Sequence, residues 1–186
     1  GALRAGAGLV TIASPREALA VNAASSLAVM VRAVDGAAEL AEFLADKRRN
    51  AVGLGPGGGV GAPMREQVTV ALASEATVVL DADALVSFAG EPAVLNAAIA
   101  KRAGGGVVLT PHEGEFTRLF KEIHEDSKVH AKLEKTRAAA RLCGAVVLLK
   151  GSDTVVAAPD GRASIADNGP PYLATAGSGD VLAGMI

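Results

Sequence analysis

With 186 residues, half of them hydrophobic, the chain is long enough to bury about 70% of its unfolded surface as one domain. Its formal net charge of −2, with lysines and arginines spread along the chain, argues against a nucleic-acid-binding surface. Apolar runs such as Val146 to Leu149 are far shorter than the ~20 residues that cross a bilayer.

Two features of the sequence bear on the cellular compartment, and both are typical of a cytoplasmic protein. The N-terminus does not read as a signal peptide. The single cysteine, Cys143, cannot form an internal disulfide, which is typical of a reducing compartment. We therefore expect a cytoplasmic protein that binds neither nucleic acid nor membranes. Because Cys143 stands beside Gly144, we expect it at a buried helix end rather than in a catalytic role.

Short β-branched runs alternate with alanine-rich stretches along most of the chain. This alternation predicts repeated strand and helix units around a mainly parallel sheet, with an α/β fold. Strands are expected at Leu9 to Ala13, Ala28 to Val34, Ala51 to Leu54, Thr77 to Leu80, Gly106 to Thr110 and Ala145 to Leu149. Helices are expected at Arg16 to Ala24, Ala37 to Arg48, Met64 to Ala73, Ala93 to Lys101 and Lys128 to Leu142.

The pattern changes after the last of these strands. Two runs, Thr154 to Ala158 and Arg162 to Ala166, flank Pro159-Asp160-Gly161, and Asp-Gly between alternating runs indicates an antiparallel hairpin. Residues 1–186 are thus expected to form one domain. The chain opens within a predicted helix (Ala2 to Ala5) and stops within the first turns of another, so we expect further chain beyond both ends.

Ligands of an open parallel sheet bind beyond the carboxyl ends of its strands, so the loops there are the candidate functional segments. The first is the glycine loop, Gly53 to Gly59, which follows a predicted strand. Its glycines leave backbone N–H groups able to contact a pyrophosphate or a ring substituent. Gly-Pro-Gly also makes ordinary turns, and that alternative stays open.

Two carboxylates, Asp81 and Asp83, emerge at the end of the next strand. They are able to hold a metal or polar ligand groups, although Asp83 as a helix cap is the alternative. The third loop contains His112, which comes after a proline at the end of an apolar strand; a structural histidine is the alternative. His124 and His130 lie in a charged stretch, Lys121 to Lys135, and are expected to face solvent.

The segment Gly177-Ser178-Gly179-Asp180 carries the strongest signal. Gly-Ser-Gly entering a helix leaves unpaired N–H groups that, with the helix dipole, suit a transferring phosphoryl group. Asp180 then lies where it is able to accept a proton from an attacking hydroxyl, rather than only complementing the dipole. The segment Lys150 to Thr154 is either a turn or a nucleotide-binding loop at the same edge of the sheet.

Taken together, these motifs resemble those of the NAD(P)H-hydrate dehydratases, a family of the ribokinase-like superfamily. They occur in the family's order and cover essentially the whole chain: G-A-G-L-V-T, G-P-G, V-L-D-A-D-A-L, L-T-P-H-E-G-E, L-K-G-S-D-T and A-T-A-G-S-G-D-V-L-A-G. Sugar and vitamin kinases of the superfamily share G-x-G-D but typically lack T-P-H-x-G-E. The resemblance implies a three-layer ribokinase-like fold, with helices on both faces of the sheet and the hairpin at its end.

The resemblance also implies an activity, the use of ADP or ATP to restore NADH or NADPH from its 6-hydroxylated form, with Mg²⁺ as cofactor. The implied catalytic positions are Gly177, Ser178, Gly179 and Asp180. The implied nucleotide-binding positions are Lys150, Gly151, Ser152, Asp153, Thr154 and Gly179. The implied substrate-binding positions are Gly55, Gly57, Asp81, His112 and Asp180, and Glu115 matches an acidic residue that organises Mg²⁺ through water.

Partners implied by the resemblance are a fused or separate NAD(P)H-hydrate epimerase and further copies of the chain in a tetramer. Two other functions stay open from the residues alone. One is a small-molecule kinase of the same superfamily, which would leave a stable phosphate ester. The other is a catalytically silent nucleotide-binding module, against which the intact Asp180 and its glycines count.

Overall fold

A computed structural model describes residues 1–102, 104–126 and 128–186. Within these ranges the strands are β1 (Thr11–Ser14), β2 (Met30–Ala33), β3 (Ala51–Leu54), β4 (Thr77–Leu80), β5 (Val107–Leu109), β6 (Val146–Leu149), β7 (Thr154–Ala157) and β8 (Ala163–Ala166). The α-helices are α1 (Ala2–Ala5), α2 (Leu19–Ser25), α3 (Gly36–Leu44), α4 (Ala62–Ala73), α5 (Ala82–Val86), α6 (Pro92–Ala100), α7 (Glu113–Leu119), α8 (Lys121–Glu125), α9 (Lys132–Cys143) and α10 (Ser178–Ala183). Short 3₁₀ helices span Arg16–Ala18 and Pro171–Leu173.

The main sheet has six strands in the order β3-β4-β5-β6-β7-β8. The pairings from β3 to β6 are parallel, whereas β6 with β7 and β7 with β8 are antiparallel. Strands β1 and β2 form a separate parallel pair in the described part of the chain. The predicted mainly parallel sheet with a terminal antiparallel hairpin is thus confirmed, with the first two strands set apart from it.

One face of the main sheet carries the centre of the hydrophobic core. Helices α4, α6 and α9 connect the parallel strands. Helices α4 and α9 pack against strands of the sheet, and α6 packs against both of these helices. The core residues that the sheet contributes here are Val78, Leu80, Val107, Leu109, Val147, Leu149 and Ala157. On the other face Val79 and Leu148 are also buried, so both faces pack against other parts of the chain.

The two largest differences between predicted and observed helix boundaries lie at the end of α3 and the start of α9, and local turns explain both. Helix α3 ends at Leu44 rather than Arg48, because the Asp46 carboxylate accepts the backbone N–H and the guanidinium of Arg48 and closes a turn. Helix α9 begins at Lys132 rather than Lys128, because Asp126 accepts the Lys128 N–H in another such turn. Ser127, in the predicted charged stretch, lies outside the described residues. His130 in that stretch is exposed as predicted, whereas His124 is partly buried.

Cys143 is the last residue of α9 and is 2% exposed. Gly144 follows in the left-handed conformation that ends many helices. Burial raises the pKa of the Cys143 thiol to about 11, so the reactive thiolate is suppressed at neutral pH. The predicted buried helix end is confirmed. None of the helices in the described ranges combines the length and the apolar character needed to span a membrane.

Phe116 anchors α7 in the core and gives a test of the packing. Its side chain is fully buried, and its ring centroid lies 5.1 Å from that of Phe120. We expect Phe116→Ala to lower the free energy of unfolding by about 3–5 kcal/mol, because it removes a buried ring and leaves a cavity. Urea denaturation measures this change. The exposed Val94 provides the control, since Val94→Ala is expected to change stability by no more than about 0.5 kcal/mol.

Candidate active site

The parallel strands bring four predicted loops to one edge of the sheet. Strands β3, β4, β5 and β6 are consecutive neighbours, so the segments that follow them emerge side by side. Backbone hydrogen bonds continue past the strand ends: Asp81 N–H to Leu54 O (3.0 Å), Thr110 N–H to Leu80 O (3.0 Å) and Lys150 N–H to Pro111 O (2.8 Å). His112 also forms a parallel backbone bridge with Lys150.

The glycine loop lies directly on the segment after β4. Gly55 is buried with φ +133°, and a Cβ there would lie 1.7 Å from the carbonyl oxygen of Asp81. Only glycine fits this approach of two backbones. Gly57 is exposed, and its N–H has no acceptor within the described residues. The loop is therefore held in place at Gly55, while the backbone N–H of Gly57 remains available to a ligand.

Asp81 and Lys150 form a buried ion pair. The Asp81 carboxylate is almost fully buried, and its Oδ1 lies 2.6 Å from Nζ of Lys150, whose side chain is 20% exposed. The family resemblance implies different ligands for these two residues, and nothing in the sequence indicates that they touch. The direct contact of Asp81 with substrate stays a prediction, since its carboxylate is here engaged with Lys150.

Asp83 lies in the first turn of α5 and does not cap that helix. The N-cap of α5 is Asp81, whose side chain makes no capping bond, and the Asp83 carboxylate instead accepts the N–H of Gly59 at 2.9 Å. The alternative that made Asp83 a helix cap is therefore wrong. Its partner lies in the glycine loop, 24 positions earlier in the chain.

His112 is the N-cap of α7, a helix that sequence analysis did not predict. Its Nδ1 accepts the N–H groups of Gly114 and Glu115 at 3.0 and 3.3 Å, while Oε2 of Glu115 accepts the His112 N–H at 2.8 Å. This is a reciprocal capping box. Since Nδ1 is an acceptor, the neutral imidazole carries its proton on Nε2, on a ring whose side chain is 55% exposed.

The carboxylate of Glu115 is buried and occupied. Besides the bond from the His112 backbone, its Oε1 lies 3.3 Å from His112 Nε2. Within the described residues, no group of three or more His, Cys, Asp or Glu side chains is placed to hold a metal ion. Mg²⁺ usually keeps several waters and binds through one or two carboxylates together with substrate phosphates, so a dedicated cage is not needed. The water-mediated role of Glu115 stays a prediction.

The segment after β6 is a braced turn. Gly151 N–H donates to Thr154 Oγ1 at 3.3 Å, and the Thr154 hydroxyl donates to the Gly151 carbonyl at 3.0 Å. From α9, Lys132 Nζ donates to the backbone and side-chain oxygens of Asp153 at 2.6 and 3.0 Å. The Lys132 ammonium holds the pKa of Asp153 below its usual value. Sequence analysis missed Lys132, because only folding brings α9 to this loop.

Helix α10 begins beside Lys150. Its N-cap, Gly177, has φ +83°, which suits glycine, and the exposed Asp180 lies in the first turn. The Cβ position of Gly179 lies 3.4 Å from Lys150 Nζ, so this ammonium stands at the start of the helix. The N–H groups of Gly179 and Asp180 have no acceptor among the described residues. Backbone donors, the helix dipole and a lysine thus converge at one point.

Removal of the Lys150 charge tests how much the buried ion pair contributes to stability. We expect Lys150→Met to lower the free energy of unfolding by about 3–5 kcal/mol, because it leaves the Asp81 carboxylate buried without a counter-charge. Adding Asp81→Asn should recover part of that loss. Chemical denaturation of both single variants and the double variant measures the coupling. A double variant whose loss equals the sum of the two single losses would show that the pair is not coupled.

Comparisons with known proteins identify the family and support the fold. The family model described as NAD(P)H-hydrate dehydratase matches residues 1–186. A bifunctional NAD(P)H-hydrate repair enzyme from Moorella thermoacetica is 38% identical, in an alignment covering 100% of this chain and 36% of the relative. The structure of an ADP/ATP-dependent NAD(P)H-hydrate dehydratase from Bacillus subtilis, co-crystallised with ATP and Mg²⁺, is 28% identical with a TM-score of 0.78 and covers 98% of this chain and 62% of the relative.

A ribokinase-like superfamily protein from Enterococcus faecalis has a TM-score of 0.74 at 23% identity over 99% of this chain and 61% of its own, which supports the same fold. The chain spans about a third of the length of the first curated relatives that it matches. Its family assignment does not depend on that length, because the family model matches every residue from the first to the last. The chain belongs to the NAD(P)H-hydrate dehydratase family, on a ribokinase-like fold.

Proposed function

We propose that this chain carries the dehydratase activity of nicotinamide-cofactor repair, in which ADP or ATP drives the conversion of NAD(P)H hydrate to NAD(P)H. The observation that supports it most is the convergence of the glycine loop, Asp81, His112, Lys150 and the start of α10 at one edge of the sheet in a member of this family. This edge carries residues suited to bind both proposed substrates, the adenine nucleotide and the NAD(P)H hydrate.

The proposed reaction begins at Asp180. Its carboxylate accepts the proton of the C6 hydroxyl, and the hydroxyl oxygen forms a bond to the terminal phosphorus while the bond to AMP (from ADP) or ADP (from ATP) breaks. The C6–O bond then breaks as the ring nitrogen donates its lone pair, and inorganic phosphate leaves. Loss of a proton from C5 restores the dihydropyridine. Phosphorylation is needed because hydroxide is a poor leaving group.

The phosphoryl group in transfer is assigned to the start of α10. Charge that develops on its oxygens is stabilised by preorganised N–H donors in the Gly177 to Asp180 segment, where those of Gly179 and Asp180 have no acceptor among the described residues. The N–H of Ser178, between the two glycines, donates to the Thr175 carbonyl at 3.3 Å, so its proposed contribution is through the side chain. Lys150 adds a cation at the same point, since its ammonium lies beside Gly179. Gly151, Ser152, Asp153 and Thr154 form the turn proposed to hold the rest of the nucleotide. Mg²⁺, when bound with the nucleotide, neutralises phosphate charge, and Glu115 is the residue proposed to orient its water.

The nicotinamide ring is assigned to the space between the glycine loop and α7. Gly57 offers a backbone N–H without an acceptor among the described residues. His112 offers an Nε2–H that lies 3.3 Å from Glu115 Oε1 without a hydrogen bond to it, on a partly exposed ring. Both are donors suited to a carboxamide oxygen. Gly55 brings the loop against Asp81, which closes this side. The proposed orientation directs the C6 hydroxyl toward Asp180.

Several properties of the whole protein belong to the same proposal. Residues 1–186 are proposed to form most of a single dehydratase domain, fused to or working with an NAD(P)H-hydrate epimerase, because the Moorella relative is a bifunctional repair enzyme. We also propose a tetramer in the cytoplasm, where the buried thiol of Cys143 stays reduced.

The test mixes NADH hydrate with the full-length protein, Mg²⁺ and either ADP or ATP. Recovery of the reduced-nicotinamide absorbance only with nucleotide, together with release of inorganic phosphate, supports the dehydratase and identifies the donor. A folded protein that binds nucleotide but gives no recovery contradicts the proposal. A stable phosphate ester formed from a vitamin-precursor alcohol would instead identify a kinase.

Asp180→Asn tests the proposed general base. We expect kcat to fall on the order of 10²–10⁴-fold, since the amide cannot accept the hydroxyl proton. The dissociation constant of ADP is expected to stay within about twofold, because the N–H donors at the helix start belong to the backbone. Steady-state kinetics and calorimetric titration measure the two quantities. Parallel losses of turnover and nucleotide binding would mean that Asp180 is structural.

A further inference from the structure

We propose that Asp83 is a positioning residue for the substrate: its carboxylate fixes the glycine loop in the shape that receives the nicotinamide ring. This inference rests on the proposed function, in which the glycine loop contacts the hydrate. Asp83 should therefore affect the affinity for the hydrate and not the affinity for the nucleotide. Asp81, only two residues away, instead pairs with the proposed nucleotide-binding residue Lys150.

Two hydrogen bonds, which we call the Asp83 clamp, join α5 and its C-cap to the end of the glycine loop and to Gly61. Asp83 Oδ2 accepts the Gly59 N–H at 2.9 Å, and Ser87 Oγ accepts the Gly61 N–H at 3.0 Å. The Ser87 hydroxyl in turn donates to the Asp83 carbonyl at 2.6 Å. Ser87 is the C-cap of α5 and comes four residues after Asp83, so the two residues lie on the same side of this helix. Helix α5 therefore grips both the end of the glycine loop and Gly61, the N-cap of α4.

The loop needs such a clamp because it has few bonds of its own. Within the described residues, its one internal backbone hydrogen bond runs from the Gly58 N–H to the Gly55 carbonyl at 2.9 Å. Glycine loses more conformational freedom on ordering than any other residue, so a glycine-rich loop samples many shapes unless outside groups select one. An ionised carboxylate is the stronger kind of acceptor for this purpose.

The backbone at Ala82 separates the two carboxylates. Ala82 has φ +43°, and it is the one non-glycine residue with positive φ in the described ranges. Such a conformation is disfavoured for alanine and persists where the surroundings demand it, commonly at functional sites. Here the Asp81 carboxylate pairs with Lys150, a proposed nucleotide-binding residue, while the Asp83 carboxylate reaches the glycine loop, which is proposed to contact the substrate.

If Asp83 acts only through the glycine loop, its loss should change the KM for NADH hydrate and not kcat or the affinity for ADP. We expect Asp83→Ala to raise the KM for NADH hydrate about tenfold, the size of losing one hydrogen bond to a charged group, with kcat and the ADP dissociation constant within about twofold. Asp83→Asn keeps a side-chain oxygen that accepts the Gly59 N–H, and it should restore most of the affinity. Glu66→Ala, at an exposed position on α4, is the matched control and should behave as the parent protein.

Amide hydrogen exchange gives a readout that does not depend on turnover. Asp83→Ala should speed exchange at residues 57–61 and leave the 150–154 segment unchanged. Ser87→Ala, which keeps the carboxylate, should give a smaller change at Gly61, and it provides a second variant if Asp83→Ala fails to fold.

Two results overturn the inference: unchanged hydrate KM despite faster loop exchange, or equal weakening of hydrate and ADP. Absence of turnover in the parent protein would instead defeat the proposed function, so the two failures are distinguishable.

Discussion

The parallel register of β3, β4, β5 and β6 is the constraint from which the site follows. Because these strands are consecutive neighbours running in one direction, every segment that leaves a carboxyl end emerges beside the next. The backbone bonds that continue to Asp81, Thr110 and Lys150 extend this order past the strands. Residues far apart in sequence therefore meet without any of the loops having to be long.

The buried pair of Asp81 and Lys150 uses that order to join strands that are not adjacent, since β5 lies between β4 and β6. A buried carboxylate without a counter-charge is costly, so the pair fixes where the Lys150 ammonium stands. That position is beside Gly179, at the start of a short helix that has no buried residue. The ion pair thus connects the buried Asp81 to the start of α10, where no residue is buried.

Periodicity and turn chemistry were sufficient to predict the strands, the connecting helices and the terminal hairpin. They missed the short helices α5, α7 and α8. Helix α7 was missed because Pro111 and Gly114 are typical of a loop and histidine is not a usual N-cap. The capping box that starts α7 depends on His112 and Glu115 folding back on each other, which only the three-residue spacing of the pair could have suggested. Contacts such as Lys132 with Asp153 had no sequence signal, since tertiary packing alone creates them.

The segment from Asp81 to Asp83 shows why residue type alone did not reveal roles here. Two acids at a strand end suggested a shared ligand, yet the positive φ of Ala82 turns their carboxylates toward different partners. A strained backbone persists only where the contacts on both sides over-determine it. The Asp81 ion pair and the Asp83 hydrogen bond to Gly59 lie on either side of Ala82, so the contacts that hold its backbone also direct the two carboxylates to different partners.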